Sequence, residues 1–189
     1  MRNRSILLVV VAASSLVAAV AAWAGNPNFQ RYKDPVLVYG DAGASTLKAA
    51  ATTAGSSLSD PRVFVDGIVV VGVKEGASTR LTAPFEAVYV CVNGGGRVPS
   101  AANKTVLVGR LETSAVFPAA RNGKAQGSLL TGPLPSSTEA AAATGFGCPS
   151  GQTLEFDRVI FSGLVLSIDG GEAVQLDTTL VSESVHGTS

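Results

Sequence analysis

Histidine, tryptophan and methionine are almost missing from this chain of 189 residues. There is one of each, and Trp23 and Met1 both fall within the first two dozen positions. The single histidine, His186, stands near the carboxyl terminus. One histidine rules out a His-rich metal centre. Added to two cysteines, it supplies only three of the four soft ligands that structural zinc takes. Tryptophan-free from position 24 onward, the chain keeps only Tyr32, Tyr39 and Tyr89 besides phenylalanine, a weak basis for a sugar-stacking platform. Charge is thin as well. The lysines and arginines are scattered singly, as at Arg62, Lys74, Arg80, Arg97 and Lys104, which is how solvated faces look.

What is present begins with an export pattern. Arg2 and Arg4 precede an apolar run starting at Ile6, and Ala22 and Ala24 flank Trp23 at the two positions a signal peptidase reads. The apolar run, about 17 residues, falls short of the roughly 20 that a stable membrane span needs. Residues 1–24 are therefore expected to be a cleaved signal peptide, with an uncleaved anchor as the alternative. The mature chain is expected to be secreted and extracellular, with no membrane association after cleavage. Without Arg2 and Arg4, 12 basic residues face 14 acidic ones, so neither nucleic acid nor an anionic membrane is an expected partner.

Two cysteines in an exported chain are most simply one disulfide, Cys91 with Cys148. It would close a loop of about 58 residues, worth roughly 4 kcal/mol in the chain-entropy account. The alternative is a free nucleophilic thiol, which would need a base and a lowered pKa.

Residues 25–60 read as a loosely structured N-terminal segment. Pro27, Pro35, Gly40, Gly43 and Gly55 punctuate it. Residues 36–39 (VLVY) form a short edge-strand candidate, and residues 46–54 one or two helical turns. From Arg62 the signal changes to strands. Residues 63–73 are dense in Val, Ile and Phe, with Asp66-Gly67 as a bulge or bend. Residues 85–93 are apolar on both faces, and Asn93-Gly94-Gly95-Gly96 ends that run. A long strand is expected over 105–117. Asn122-Gly123 signals a hairpin, and 125–131 is its return strand.

Ser137-Thr138-Glu139 opens an alanine run that Gly145 closes, a short surface helix. Residues 153–168 read as the longest strand, with Phe156, Ile160, Leu164, Leu166 and Ile168 on one face and Val159, Phe161 and Val165 on the other. Asp169-Gly170-Gly171-Glu172 is a tight turn before an alternating strand through Val174, Leu176 and Leu180. Residues 183–189 read as a polar, frayed tail. Six or seven strands joined by Gly- and Pro-rich turns predict an all-β fold. The expected architecture is an antiparallel β-sandwich over residues 61–182, immunoglobulin-like in the loose architectural sense, with one disulfide.

Three segments carry a resemblance. Tyr89-Val90-Cys91-Val92-Asn93-Gly94-Gly95-Gly96, then Pro99, Ala101 and Asn103-Lys104-Thr105, then Cys148-Pro149-Ser150-Gly151-Gln152-Thr153-Leu154, resemble a functionally uncharacterised family of small secreted bacterial proteins. That family shares Y-x-C-x-N-G-G-G, P-x-A-x-N-K and C-P-x-G-Q-T-L segments. The resemblance spans residues 85–181. It implies export, a compact β fold and the Cys91–Cys148 pair, and it carries no catalytic residues to transfer. The alanine run at 139–144 and much of residues 30–60 are extra length relative to that pattern.

The candidate ligand loop is 93–104, with Asn93, Gly94, Gly95, Gly96, Asn103 and Lys104 offering backbone N–H groups, an amide and an ammonium. The competing reading is a long turn whose glycines serve geometry alone, because the strand–loop–helix context of a phosphate loop is missing. Asn103-Lys104-Thr105 matches a glycosylation acceptor, by chance in a bacterial chain. Hydrolytic chemistry would fall to carboxylates such as Glu155, Asp157 and Glu112. Asp169, Glu172 and Asp177 lack the alternating spacing of a calcium loop. His186 as a triad base would need a held tail. No metal site, catalytic residue or cofactor is expected. The expected function is a non-enzymatic binding or structural module whose partner is a protein, a cell-wall polymer or its own copy. A carboxylate-dependent secreted hydrolase and a secreted competition factor are the alternatives.

Overall fold

The structure is a computed structural model that describes residues 26–39, 60–96, 98–99, 103–182 and 184–186. The expected leader at 1–24 and the helical turns expected at 46–54 lie outside the described residues.

Two antiparallel sheets pack face to face, and each is organised by one long strand. In the first sheet, β3 (Pro61–Val71) is the spine. One edge of β3 pairs with β6 (Lys124–Leu130). Its other edge takes two short strands end to end, β1 (Asn28–Arg31) and β2 (Val36–Tyr39). In the second sheet the spine is β4 (Gly76–Asn93). One edge of β4 pairs along nearly its whole length with β5 (Lys104–Pro118). The other takes β7 (Gln152–Phe161) and β8 (Leu164–Ile168) in succession. The short strands β10 (Leu180–Val181) and β9 (Ala173–Leu176) pair with β7 and β8 respectively. The result is the expected all-β, antiparallel sandwich.

β-Branched density makes β3 a strand, and a bulge lets both of its apolar halves face inward. Val63 and Val65 are buried. Register then slips across Asp66-Gly67, where Gly67 has φ +63, and Ile68 and Val70 take over the inward face. Opposite them, Leu81, Ala83, Phe85, Ala87 and Tyr89 of β4 alternate into the same core. Sheet spacing is tight near the β5–β6 turn. A methyl at Gly127 would sit 2.2 Å from the Phe117 ring, so only glycine lets that ring lie flat on β6.

Three expectations need correction. The single strand expected over 153–168 is two strands with two irregularities. Register slips at Asp157, and the chain breaks at Ser162-Gly163. The break lies opposite Pro84, which has no N–H to give a ladder; Ser162 N still donates to the Pro84 carbonyl at 3.3 Å. Each irregularity flips the face, so Val159 and Phe161 share the core with Leu164, Leu166 and Ile168.

The Asn122-Gly123 turn forms, with Lys124 N donating to Asn122 Oδ1 at 3.2 Å. Its two strands nevertheless join different sheets and share only an Ala119–Ala125 bridge.

The described tail is docked rather than frayed. Ser182 N donates to Val159 O at 3.0 Å, Val159 N donates to Ser182 Oγ at 2.9 Å, and Val185 N donates to Asp157 O at 2.9 Å.

The alanine run forms α1 (Ser137–Thr144), the one helix among the described residues. Ser136 caps it, its hydroxyl accepting from Glu139 N, and Gly145 ends it in the left-handed conformation. Ala140 is buried and plugs one end of the core.

Candidate functional site

Cys91 and Cys148 are joined, with Cα atoms 5.6 Å apart and a sequence separation of 57. The bond staples the end of β4 to the segment after α1, directly beneath the candidate loop. That loop is built as a turn. Cys91 N donates to Asn103 O at 2.9 Å, so the β4–β5 ladder runs one pair past β5 before the chain opens. Asn93 Oδ1 accepts from Gly95 N at 3.1 Å, and Asn93 O accepts from Gly96 N at 2.8 Å, an Asx-type arrangement. Gly96 has φ +73 and needs to be glycine; Gly94 does not. Gly94, Gly95, Gly96, Asn103 and Lys104 are exposed, and a side chain at Gly94 or Gly96 would meet open space. Val98 folds back onto Val88, Val90 and Val92, a small apolar cluster on the outer face of the sheet. The six loop residues are exposed, beside a second minor core.

A groove of about 390 Å3 lies elsewhere on the same end of the sandwich. Tyr89, Pro135, Ser136, Glu155, Phe156 and Val185 are among the residues that line it. Tyr89 meets Phe156 edge-on at 5.9 Å and donates from its hydroxyl to Pro135 O at 2.5 Å. Burial, with the Glu139 carboxylate adding to it, pushes the phenol up to about 12. Glu139 is itself held below the usual carboxylate range, first by the Ser136 hydroxyl and then by the Ser136 amide.

Of the carboxylates, Asp60 and Glu155 both line the groove. Asp60, at the groove wall, is held by Arg62 at 2.6 Å. Asp157 accepts the Ser184 hydroxyl, a bond that ties down the tail. Glu155 lies 3.5 Å from His186 Nε2 and accepts from Thr153 Oγ1 at 3.3 Å. Glu112 lies away from the groove on β5, 3.7 Å from Arg110 and 4.0 Å from Arg80. Glu172 is structural, since its carboxylate accepts from Phe29 N at 2.7 Å. His186 is better placed than a frayed tail allows. Its side chain is only 10% exposed, yet Nε2 has no hydrogen-bond partner. Among the described residues no group of three or more His, Cys, Asp and Glu side chains comes together to hold a metal. None of the described helices is long and apolar enough to cross a membrane.

The surface that sequence reasoning missed is β5. Its edge away from β4 carries no strand among the described residues. On its outer face Val108 and Val116 are 74% and 72% exposed, with Val106 also exposed. The alternation of valines and leucines along β5 is visible in the sequence. Which edge stays open is not, because it depends on where β6 goes.

No protein-family model matches the chain, and comparison with curated proteins and with solved structures finds no match.

Proposed function

We propose that this protein is a secreted, non-enzymatic binding or structural module that works at the cell surface or in the extracellular space by association along β5. The single observation that carries the reading is the fifteen-residue strand β5, whose edge away from β4 carries no strand among the described residues, beside exposed valines. An unprotected edge of that length presents unpaired N–H and C=O groups ready to template another strand. The intramolecular disulfide supports an oxidising compartment, and together with the leader pattern it supports export.

The test compares the leader-free protein with the double variant Val108→Lys/Val116→Lys. Each is analysed by sedimentation, alone and with isolated cell-wall polymer. The wild type is expected to self-associate or to co-sediment with the polymer. The lysine variant is expected to do neither, while melting at the same temperature. A wild type that stays monomeric and unbound, or a lysine variant that associates equally well, would overturn the reading.

A further inference from the structure

Resting on that reading, we infer that the occupant of the β5 edge is β5 of a second copy, paired antiparallel about a two-fold axis through Leu111. Two identical strands pairing this way must bring residues of the same face opposite each other, so the axis passes through one residue. The charges on the outer face select which one. An axis at Arg110 sets Arg110 against its own copy, and an axis at Glu112 sets Glu112 against its own copy. Like charges directly opposite destabilise a ladder. An axis at Leu111 sets Arg110 against Glu112 twice and Val106 against Val116 twice.

Two further features favour the same axis. Leu111 is the midpoint of Lys104–Pro118, so overlap is complete only there. Glu112 already lies 3.7 Å from Arg110 of its own strand with both side chains largely exposed, so each can turn to the copy. On the core-side face Leu111 meets Leu111, Leu107 meets Ala115 and Gly109 meets Thr113.

Closure follows from the other edge. It is divided between β9, four residues long, and β10, two residues long, which offer no comparable template. Association therefore stops at two, an isologous dimer with one sheet continuous through both copies.

Sedimentation equilibrium on the full mature chain tests this with Arg110→Glu, Glu112→Arg and the double swap. The wild type is expected to dimerise. Each single swap sets like charges opposite each other and is expected to raise the dimer Kd about tenfold. The double swap restores the order of opposite charges and is expected to dimerise as the wild type does. An equimolar mixture of the two single variants is expected to recover association as a heterodimer. Because Glu112 also faces Arg80, Glu112→Arg is checked by its melt; Arg110→Glu stands alone if that variant is unfolded. A wild type monomeric at high micromolar concentration overturns the second copy as occupant. So do single swaps that dimerise as well as the wild type. If the monomeric wild type still co-sediments with wall polymer and Val108→Lys/Val116→Lys does not, the association module stands and only the self-pairing falls.

Discussion

The loop at 93–104 and the strand that follows it make opposite impressions. The loop is rich in glycine and asparagine, the composition of a ligand cradle, yet its polar groups turn inward on its own backbone at Asn93 and its apolar residue Val98 covers Val88, Val90 and Val92. β5 has the composition of an ordinary strand, yet it leaves one edge without a partner strand among the described residues and three valines in water. Composition reports the backbone conformation a segment needs. Availability for a partner is a property of topology, and here it arises because the chain crosses to the other sheet after β5.

The contrast can be broken most forcefully at the disulfide. Replacing Cys91 and Cys148 by alanine is expected to cost about 2–5 kcal/mol in denaturant unfolding, while the folded fraction associates along β5 as before. Association lost from the folded fraction would make the stapled end part of the binding surface. Tyr89→Phe comes next. It leaves the Pro135 carbonyl without its donor and is expected to cost about 1 kcal/mol. It also changes the alkaline limb. The Tyr89 phenol titrates higher in the folded protein, at about 12, than the ordinary value of 10.0, so the native state keeps a proton that the unfolded chain releases. That contribution is full below pH 10 and is lost as pH rises to about 12. Melts across that window should fall more steeply for wild type than for Tyr89→Phe.

Within the loop, Gly96→Ala is expected to cost about 1 kcal/mol, because alanine resists positive φ. Gly94→Ala should stay within about 0.5 kcal/mol, since it meets open space without that backbone constraint. Equal costs at the two glycines would contradict the turn geometry. The smallest effects belong to Asn103→Ala and Lys104→Ala, each within about 0.5 kcal/mol in stability and without effect on wall-polymer retention. Retention that collapses in either would return the loop to the status of a binding site.

Much of the strand content and the short helix were legible because β-branched density, Asn-Gly and Asp-Gly turns, and an alanine run opened by Ser137-Thr138-Glu139 and closed by Gly145 are local signals. The disulfide was legible from cysteine count and the export pattern. Face assignment along 153–168 was not, because one unpaired residue at Asp157 and a break opposite Pro84 each invert the side-chain parity. Nor was the start of β4. Ala77 and Thr79 are buried there on small side chains that give little hydrophobic signal. The short strand β1 owes its place to contacts far along the chain, with Phe29 N donating to the Glu172 carboxylate and Glu172 N donating to Pro27 O. The ordering of His186 rests in the same way on Asp157 and Val159 holding the residues just before it.

The ring closed by Cys91 and Cys148 contains the exposed turn, β5, the crossover, β6 and the helix. An extracellular protease that cuts once anywhere in that ring severs the backbone without releasing a fragment. The clipped molecule would keep its mass on a non-reducing gel and part into two pieces only with a thiol.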